Sequence, residues 1–212
     1  MKRLIVLLVV FSMFAVLTPE DGYSQDRARS GFYLRFDLGG GYGSLSTDVD
    51  NVDLDISGAA GLASLSLGGF LSEDLVLFGE FFGSSLVNPT FTVGGTEFDT
   101  DDVTLTLGGF GAGIAYYLSD NWFLQGTLMA TQLEAEVDGD KVGETEVGFG
   151  FKGVVGAAWP VSNKVALGGS AQIFYASMDD KDVSSVTWSS FGAGLEFTFI
   201  WVPGGNMKGT SM

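Results

Sequence analysis

The 212-residue sequence contains neither cysteine nor histidine. Without cysteine no disulfide forms, so burial and backbone pairing must stabilise the chain even if it is exported. Without histidine, the chain lacks the side chain that most often serves as general acid or base and as a metal ligand. These absences argue against hydrolases that rely on a histidine and against His/Cys metal centres.

Basic residues are also scarce, with 10 Lys and Arg against 26 Asp and Glu and a formal net charge of −16. Such a chain repels nucleic acid and anionic surfaces unless cations intervene. After the N-terminal segment no apolar run approaches 18 residues, which excludes a membrane-spanning helix there. What the chain has in excess is glycine, 32 residues, and aromatics, 13%, with only 17% charged residues.

The N-terminal segment has the three parts of a secretory signal peptide. Lys2 and Arg3 precede an apolar run from Leu4 to Phe11, and a polar stretch ends near Ser24. We expect residues 1–24 to be removed, so that the mature chain begins at or near Gln25. The alternative is a retained membrane anchor.

Apolar residues alternate with small or polar ones along most of the mature chain. In residues 31–43, Phe32, Leu34 and Phe36 share one face, while Tyr33 and Arg35 share the other. A period of two predicts β-strands. The predicted strands are eight, at 31–44, 58–71, 75–87, 103–118, 122–137, 145–159, 165–177 and 187–201.

A short phrase recurs three times, as FLSEDLVLFGE, YLSDNWFLQG and PVSNKVALGG, with its serines Ser72, Ser119 and Ser162 spaced 47 and 43 positions apart. It falls between strands two and three, four and five, and six and seven, and predicts a tight turn each time. The other connections are mostly longer and acidic. This arrangement predicts an all-β, eight-stranded antiparallel up-and-down barrel. At Gly68–Gly69 and Gly108–Gly109 the alternation changes parity, which predicts a bulge or a close approach of strands.

The composition of the two faces of this barrel indicates whether its outer surface contacts water or lipid. The face opposite the apolar one is rich in Gly, Ser and Thr, too bare for a soluble surface but suited to a narrow lumen, so we predict a transmembrane barrel. Aromatic residues at the short-turn ends would form one interfacial girdle on the periplasmic side: Phe32, Phe70, Tyr116, Trp122, Trp159, Phe199 and Trp201. Tyr42, Phe149, Tyr175 and Trp188 would supply the second girdle.

Strand parity also predicts a set of charged side chains inside the barrel: Arg35, Asp37, Glu80, Glu146, Lys152 and Glu196. Glu80 or Glu196 is the expected partner of Arg35. Two bases against four acids leave this set at −2. Water or a bound cation must therefore enter the lumen, or some of the acids must lie near a barrel mouth.

The chain resembles the small outer-membrane β-barrels of Gram-negative bacteria, of the OmpA transmembrane-domain, OmpX and opacity-protein type. The residues that carry the resemblance are the YYLSDNWFLQG-like turns, the GFGAGIAYYL strand and the closing GLEFTF. The resemblance implies an outer-membrane barrel over residues 25–202, contact with lipid and lipopolysaccharide, assembly by the barrel assembly machinery, and a monomer. The family's final strand ends on a terminal aromatic residue. Here residues 203–212 follow that strand, so either Phe199 or Trp201 acts as an internal signal or the tail is an addition.

We therefore expect a non-enzymatic barrel with a structural or surface-contact role through acidic extracellular loops, and no cofactor. The alternatives are a small porin-like pore and, ranked third, a soluble lipocalin-like binding barrel. Asp48, Asp50, Asp53 and Asp55 present oxygens that suit a hard cation, but their spacing does not match an EF-hand, and a solvated loop is the preferred interpretation. Divalent cations would bridge such loops to anionic lipopolysaccharide.

Overall fold

The computed structural model describes residues 29–49, 52–181, 183 and 186–203. The predicted signal peptide, Gln25 and most of the tail lie outside these residues. In the described ranges, no helix is long and apolar enough to cross a membrane. The strands are β1 Phe32–Val49, β2 Val52–Phe70, β3 Leu75–Val87, β4 Thr90–Val93, β5 Thr96–Asp99, β6 Val103–Tyr117, β7 Trp122–Val137, β8 Asp140–Glu144, β9 Gly148–Pro160, β10 Val165–Asp179 and β11 Thr187–Trp201.

Eight of these strands form a closed antiparallel barrel. Around the wall the order is β1, β2, β3, β6, β7, β9, β10, β11, and β1 pairs with both β2 and β11. Each strand pairs with its neighbours in the chain, and the last pairs with the first, so the wall has no free edge. The predicted all-β, eight-stranded up-and-down barrel is confirmed.

One end of the barrel, here named the short-turn end, carries the three repeated turns. The backbone N–H groups of Leu71, Leu118 and Val161 each donate to the carbonyl oxygen four residues later, at 2.7, 2.9 and 2.9 Å. The following serines repeat the pattern, donating to the carbonyl three residues later at 3.1–3.5 Å. The recurring phrase is therefore one turn conformation used three times.

The opposite end, here named the long-loop end, is more ordered than the sequence suggested. The predicted loop at 45–57 is instead a continuation of β1 and β2, which pair up to Val49 and Val52. The predicted loop at 88–102 contains the β4–β5 hairpin, and β4 pairs with the upper part of β2. Likewise, β8 folds back on β7. These corrections give the barrel a rim of strands rather than flexible loops.

The predicted bulges at the two glycine pairs are wrong, because pairing runs without interruption through Gly68–Gly69 and Gly108–Gly109. The alternative, a close strand approach, applies to Gly68. A Cβ atom there would lie 2.0 Å from the carbonyl oxygen of Leu77. Parity therefore continues across both pairs, which changes the face assigned to Phe70.

Inside the barrel the side chains form three layers along the axis. The short-turn cluster consists of Tyr33, Val76, Phe78, Ala115, Tyr117, Phe123, Val154, Ala158, Ala166, Ile200 and Val202, with Phe70 packed against it. The long-loop cluster consists of Leu45, Ile56, Ala60, Leu62, Phe82, Leu86, Leu105, Leu107, Met129, Leu133, Phe174, Ala176 and Met178. Between them, inward positions are polar: on β3, Glu80 lies between Phe78 and Phe82, and on β7, Gln125 and Thr127 lie between Phe123 and Met129. Large apolar side chains such as Leu38, Leu128 and Leu195 point outward and are exposed, as lipid contact requires.

Candidate functional site: the charged layer

The polar middle of the barrel, here named the charged layer, consists of Arg35, Asp37, Glu80, Lys152 and Glu196 with their neutral neighbours Ser64, Gln125, Thr127, Ser170, Gln172 and Thr198. All are buried. They come from β1, β2, β3, β7, β9, β10 and β11. Alternation turns one residue in two inward, and closure of the sheet brings these positions to one level.

Arg35 is fully buried and lies at the centre of the first half of this layer. Its Nε donates to Asp37 Oδ1 at 2.9 Å and lies 2.8 Å from Oδ2. The two terminal nitrogens donate to Gln125 Oε1 and, at 3.4 Å, to Ser170 Oγ. The guanidinium lies over the ring of Phe123, 4.5 Å from its centroid. Arg35 is therefore held by an ion pair, two neutral acceptors and an aromatic face.

Asp37 accepts hydrogen bonds from three side chains. Besides Arg35, it accepts hydrogen bonds from Ser64 Oγ at 3.0 Å and Thr198 Oγ1 at 2.7 Å. An ionised carboxylate in a buried site needs several donors to replace water. Asp37 meets this condition with groups from three strands, β1, β2 and β11.

Glu80 and Lys152 form the second half of the layer. Lys152 Nζ donates to Glu80 Oε1, and both side chains are fully buried. Glu80 also accepts from Thr127 Oγ1 at 2.6 Å and from Gln125 Nε2 at 3.3 Å. Because Gln125 accepts from Arg35 and donates to Glu80, its amide joins the two ion pairs into one network. The expectation that Glu80 is the direct partner of Arg35 is thus wrong, since Arg35 pairs with Asp37 and Glu80 pairs with Lys152.

Glu196 differs from the other acids. It is 5% exposed, and neither carboxylate oxygen has a hydrogen-bond partner among the described residues. On the neighbouring strand, Gln172 is 2% exposed and its amide oxygen and nitrogen are also without partners. Glu196, too, is not the ion-pair partner of Arg35.

Glu146 is not part of the layer. It is exposed and precedes β9, which begins at Gly148 rather than at 145. Its backbone N–H donates to the carbonyl of Asp179 at the long-loop end. Parity applies only within a strand, and because β9 begins after Glu146, this residue lies at a barrel mouth.

No sequence pattern singles out Arg29, which closes the short-turn end. Its side chain is buried, and its guanidinium donates to the carbonyls of Ser119 and Asp120 at 3.3 and 2.5 Å. It also lies 4.2 Å from the centroid of the Tyr117 ring and 3.7 Å from carboxylate oxygens of Asp74 and Asp120. No periodic pattern precedes β1, so only the isolated arginine beside the first strand offered a signal.

The predicted periplasmic girdle divides into two sets. Tyr116, Trp122, Trp159 and Trp201 are exposed on the outer wall near the short turns, and Phe32 and Phe199 are half-buried there. Phe70 does not belong to the girdle. Its ring packs inside the barrel against Tyr33 and Tyr117, with ring centroids 5.9 and 6.1 Å away. At the long-loop end, Trp188 does not belong to the predicted second girdle either. It packs against the long-loop cluster, and its Nε1 donates to Asp180.

The Asp48–Asp55 segment does not form the loop expected for a cation site. Asp48 and Asp53 are paired across the β1–β2 hairpin, and Asp50 lies outside the described residues. Within the described residues, no group of three or more acidic side chains is placed to hold a metal ion.

Several solved structures are similar in shape to this chain. Neisserial surface protein A is 16% identical, with 80% of this chain and 98% of that chain covered and a TM-score of 0.46. The attachment invasion locus protein Ail of Yersinia pestis is 15% identical over 80% and 99%, with a TM-score of 0.42. OprG of Pseudomonas aeruginosa is 10% identical over 83% and 98%, with a TM-score of 0.47.

No curated protein sequence matches the chain significantly. The family model for the outer membrane protein beta-barrel domain matches residues 6–199, which is most of the sequence. Together with the closed eight-stranded wall and its apolar outer face, this match settles the class: the chain belongs to the outer-membrane β-barrel family and resides in the bacterial outer membrane.

Proposed function

We propose that the protein is a non-enzymatic structural barrel with a closed interior, which makes surface contacts through its acidic long-loop end. The observation that carries this proposal is the three-layered interior. The long-loop cluster and the short-turn cluster enclose the charged layer on its two sides. Arg29 packs against Tyr117 of the short-turn cluster. Eight-stranded barrels have an interior just wide enough for side chains to fill it, and here the side chains do so.

The layered interior favours the structural role over the porin-like pore. A solute crossing the barrel would have to displace Phe82 and Phe174, whose ring centroids lie 4.9 Å apart, and then the ion pair of Lys152 and Glu80. Breaking a buried pair costs about 3–5 kcal/mol. The outward apolar side chains likewise favour a membrane barrel over a soluble binding barrel.

The long-loop end supports a role in surface contact. Its exposed acids in the described residues are Asp55, Glu97, Asp99, Asp101, Asp102, Asp138, Asp140, Glu146 and Asp179. Lys141 and Lys181 are the bases described at this end, and they already contact Glu134 and Glu144. A rim of this charge repels anionic lipopolysaccharide unless divalent cations bridge the two. We propose that such cations link the rim to lipopolysaccharide around a monomeric barrel inserted by the barrel assembly machinery.

Conductance in planar bilayers tests the closed interior. We expect no steady conductance from the unmodified protein. The double variant Phe82→Gly/Phe174→Gly, which opens the long-loop cluster, serves as the matched comparison and should flicker or conduct. A large steady conductance from the unmodified protein would favour the pore instead.

Reconstitution tests the cation bridge. In vesicles containing lipopolysaccharide, we expect chelation of divalent cations to lower the unfolding temperature. A variant with Glu97→Gln, Asp99→Asn, Asp101→Asn and Asp102→Asn should respond much less. Vesicles of zwitterionic phospholipid alone provide the control, since chelation should have no effect there. An unmodified protein that is insensitive to chelation in lipopolysaccharide would contradict the bridge.

A further inference from the structure

The charged layer contains one acid more than its bases neutralise. Arg35 pairs with Asp37, and Lys152 pairs with Glu80. Glu196 is the remaining acid; it is 5% exposed, and its carboxylate has no partner among the residues that the structure describes. The charged groups that act on it are Asp37 and Arg35 from β1, Lys152 from β9 and Glu80 from β3. With all groups ionised, these five side chains carry a net charge of −1.

A second side chain without partners lies beside Glu196. In the pairing of β10 with β11, Glu196 faces Ser170, and Gln172 faces Gly194. Gln172 and Glu196 are therefore diagonal neighbours on the inward face, with Cα atoms about 7–8 Å apart in such pairs. Within the described part of the chain, both polar atoms of the Gln172 side chain lack hydrogen bonds, and this side chain is 2% exposed. A buried amide and a buried carboxylate left unpaired at one place are costly unless a ligand completes them.

The chemistry of these groups suits a small cation. Glu196 offers two carboxylate oxygens, Gln172 offers an amide oxygen, and Ser170 offers a hydroxyl that lies 3.0 Å from Thr198 Oγ1. Divalent cations favour sites with several carboxylates, and Glu196 is the one carboxylate without a partner at this place among the described residues. A single positive charge also matches the net charge of −1, whereas a dication would leave an excess of +1.

We propose that the barrel interior holds one alkali-metal cation, bound between the carboxylate of Glu196 and the amide oxygen of Gln172. The ion completes the charged layer by supplying the positive charge that the two bases lack. Because the apolar clusters enclose the layer, the ion enters as the barrel forms and exchanges slowly afterwards.

Refolding from urea into detergent micelles tests the site with Na⁺ or K⁺ as the probe. Samples are folded in increasing NaCl or KCl, with N-methyl-D-glucamine chloride holding ionic strength constant and the pH fixed. We expect the thermal unfolding midpoint of the unmodified protein to rise by a few degrees and then saturate, as binding to the folded state alone requires. Glu196→Gln should abolish this dependence, and Gln172→Met should weaken it. After rapid removal of free salt, the unmodified protein should retain the ion and Glu196→Gln should not, as atomic emission measures.

Glu134→Gln is the matched control, because Glu134 is a partly exposed acid of the rim. This variant should keep the full dependence on Na⁺ or K⁺. The proposal is overturned if the thermal unfolding midpoint of the unmodified protein does not change with either ion. Glu196 would then be protonated or solvated by water. Dependence that survives in Glu196→Gln would also overturn it, by placing the ion elsewhere. If Glu196→Gln does not fold, Gln172→Met decides, and an unchanged dependence there rejects the site.

Discussion

Arg35 and Asp37 form a buried ion pair although they lie only two positions apart on β1. Their side chains are both fully buried, with Arg35 Nε 2.8 Å from Asp37 Oδ2. Inward-facing residues two apart in a strand are neighbours along the wall, so this pair needs no other strand to form. The remaining hydrogen bonds of the pair involve other strands. Arg35 donates to Gln125 and Ser170, and Asp37 accepts from Ser64 and Thr198.

Arg35→Met should lower the free energy of unfolding by about 3–5 kcal/mol, because it leaves Asp37 charged and buried without its counter-ion. Adding Asp37→Asn should restore part of the loss, whereas adding Glu80→Gln should not. Urea unfolding of the detergent-folded protein measures both effects. Lys181→Met is the control, and its exposed pair should contribute under about 1 kcal/mol. Equal losses from Arg35→Met and Lys181→Met would show that the interior is wet.

Arg29→Met should loosen the short-turn end. The substitution removes two hydrogen bonds from a charged donor to the turn carbonyls of Ser119 and Asp120, worth about 1.5–3 kcal/mol each. We expect faster amide hydrogen exchange in the 118–121 turn and lower stability. Lys164→Met, at an exposed position in another short turn, provides the comparison. The role assigned to Arg29 fails if both variants exchange at the same rate.

The three turn serines should respond differently to alanine. Ser162 Oγ accepts from the N–H of Val165 at 3.1 Å, and Ser119 Oγ accepts from that of Trp122 at 3.3 Å. The Ser72 side chain forms no such bond in the described structure. Ser162→Ala and Ser119→Ala should therefore cost about 0.5–1.5 kcal/mol, and Ser72→Ala close to none. Unfolding midpoints of the three variants make the comparison, and a loss at Ser72 as large as at Ser162 would contradict it.

The long-loop end should face the outside of the cell, since long connections do so in this class. Because the sequence has no cysteine, single substitutions give clean probes. An impermeant thiol reagent applied to intact cells should label Glu97→Cys and should not label Ser72→Cys. Lysed cells should show both positions reactive, as both are exposed. The reverse pattern on intact cells would invert the orientation.

Assembly should depend on the outward aromatics of β11 and not on the residues after it. Deletion of 203–212 should be tolerated, because Val202 is the last side chain in the short-turn cluster. The double variant Phe199→Ala/Trp201→Ala should reduce the folded fraction in membranes, measured by resistance to SDS before boiling. A harmful deletion paired with a harmless double variant would place the assembly signal in the tail.

Alternation predicted the barrel strands well, and three of them, 75–87, 122–137 and 187–201, agree with the structure at both ends. The small hairpins at the long-loop end were missed although the sequence signals them. Gly94–Gly95 and Asp138–Gly139 each have two consecutive residues with positive φ, which is the usual geometry of a two-residue hairpin turn. Both dipeptides are next to strands of only four or five residues, which are too short to show a clear alternation.

The charged layer was only partly predictable. Parity placed Arg35, Asp37, Glu80, Lys152 and Glu196 inside, but partners depend on strand tilt and stagger, which no local pattern encodes. Lys152 and Glu80 lie on β9 and β3, with β7 and β6 between them along the wall. A parity change at Gly68–Gly69 would place Phe70 on the outer face, but the pairing there is continuous and Phe70 faces inward.

The separation of Lys152 from Glu80 by 72 residues also constrains how the protein enters a bilayer. A lone hairpin of β2 and β3 would carry the Glu80 carboxylate into hydrocarbon with no counter-charge, and a hairpin of β9 and β10 would do the same with Lys152. A lipid-exposed lysine at the midplane costs about 2–4 kcal/mol. Stepwise insertion of hairpins therefore meets a barrier that the closed sheet does not. The chain should cross the bilayer interface as a nearly complete cylinder, in one concerted event.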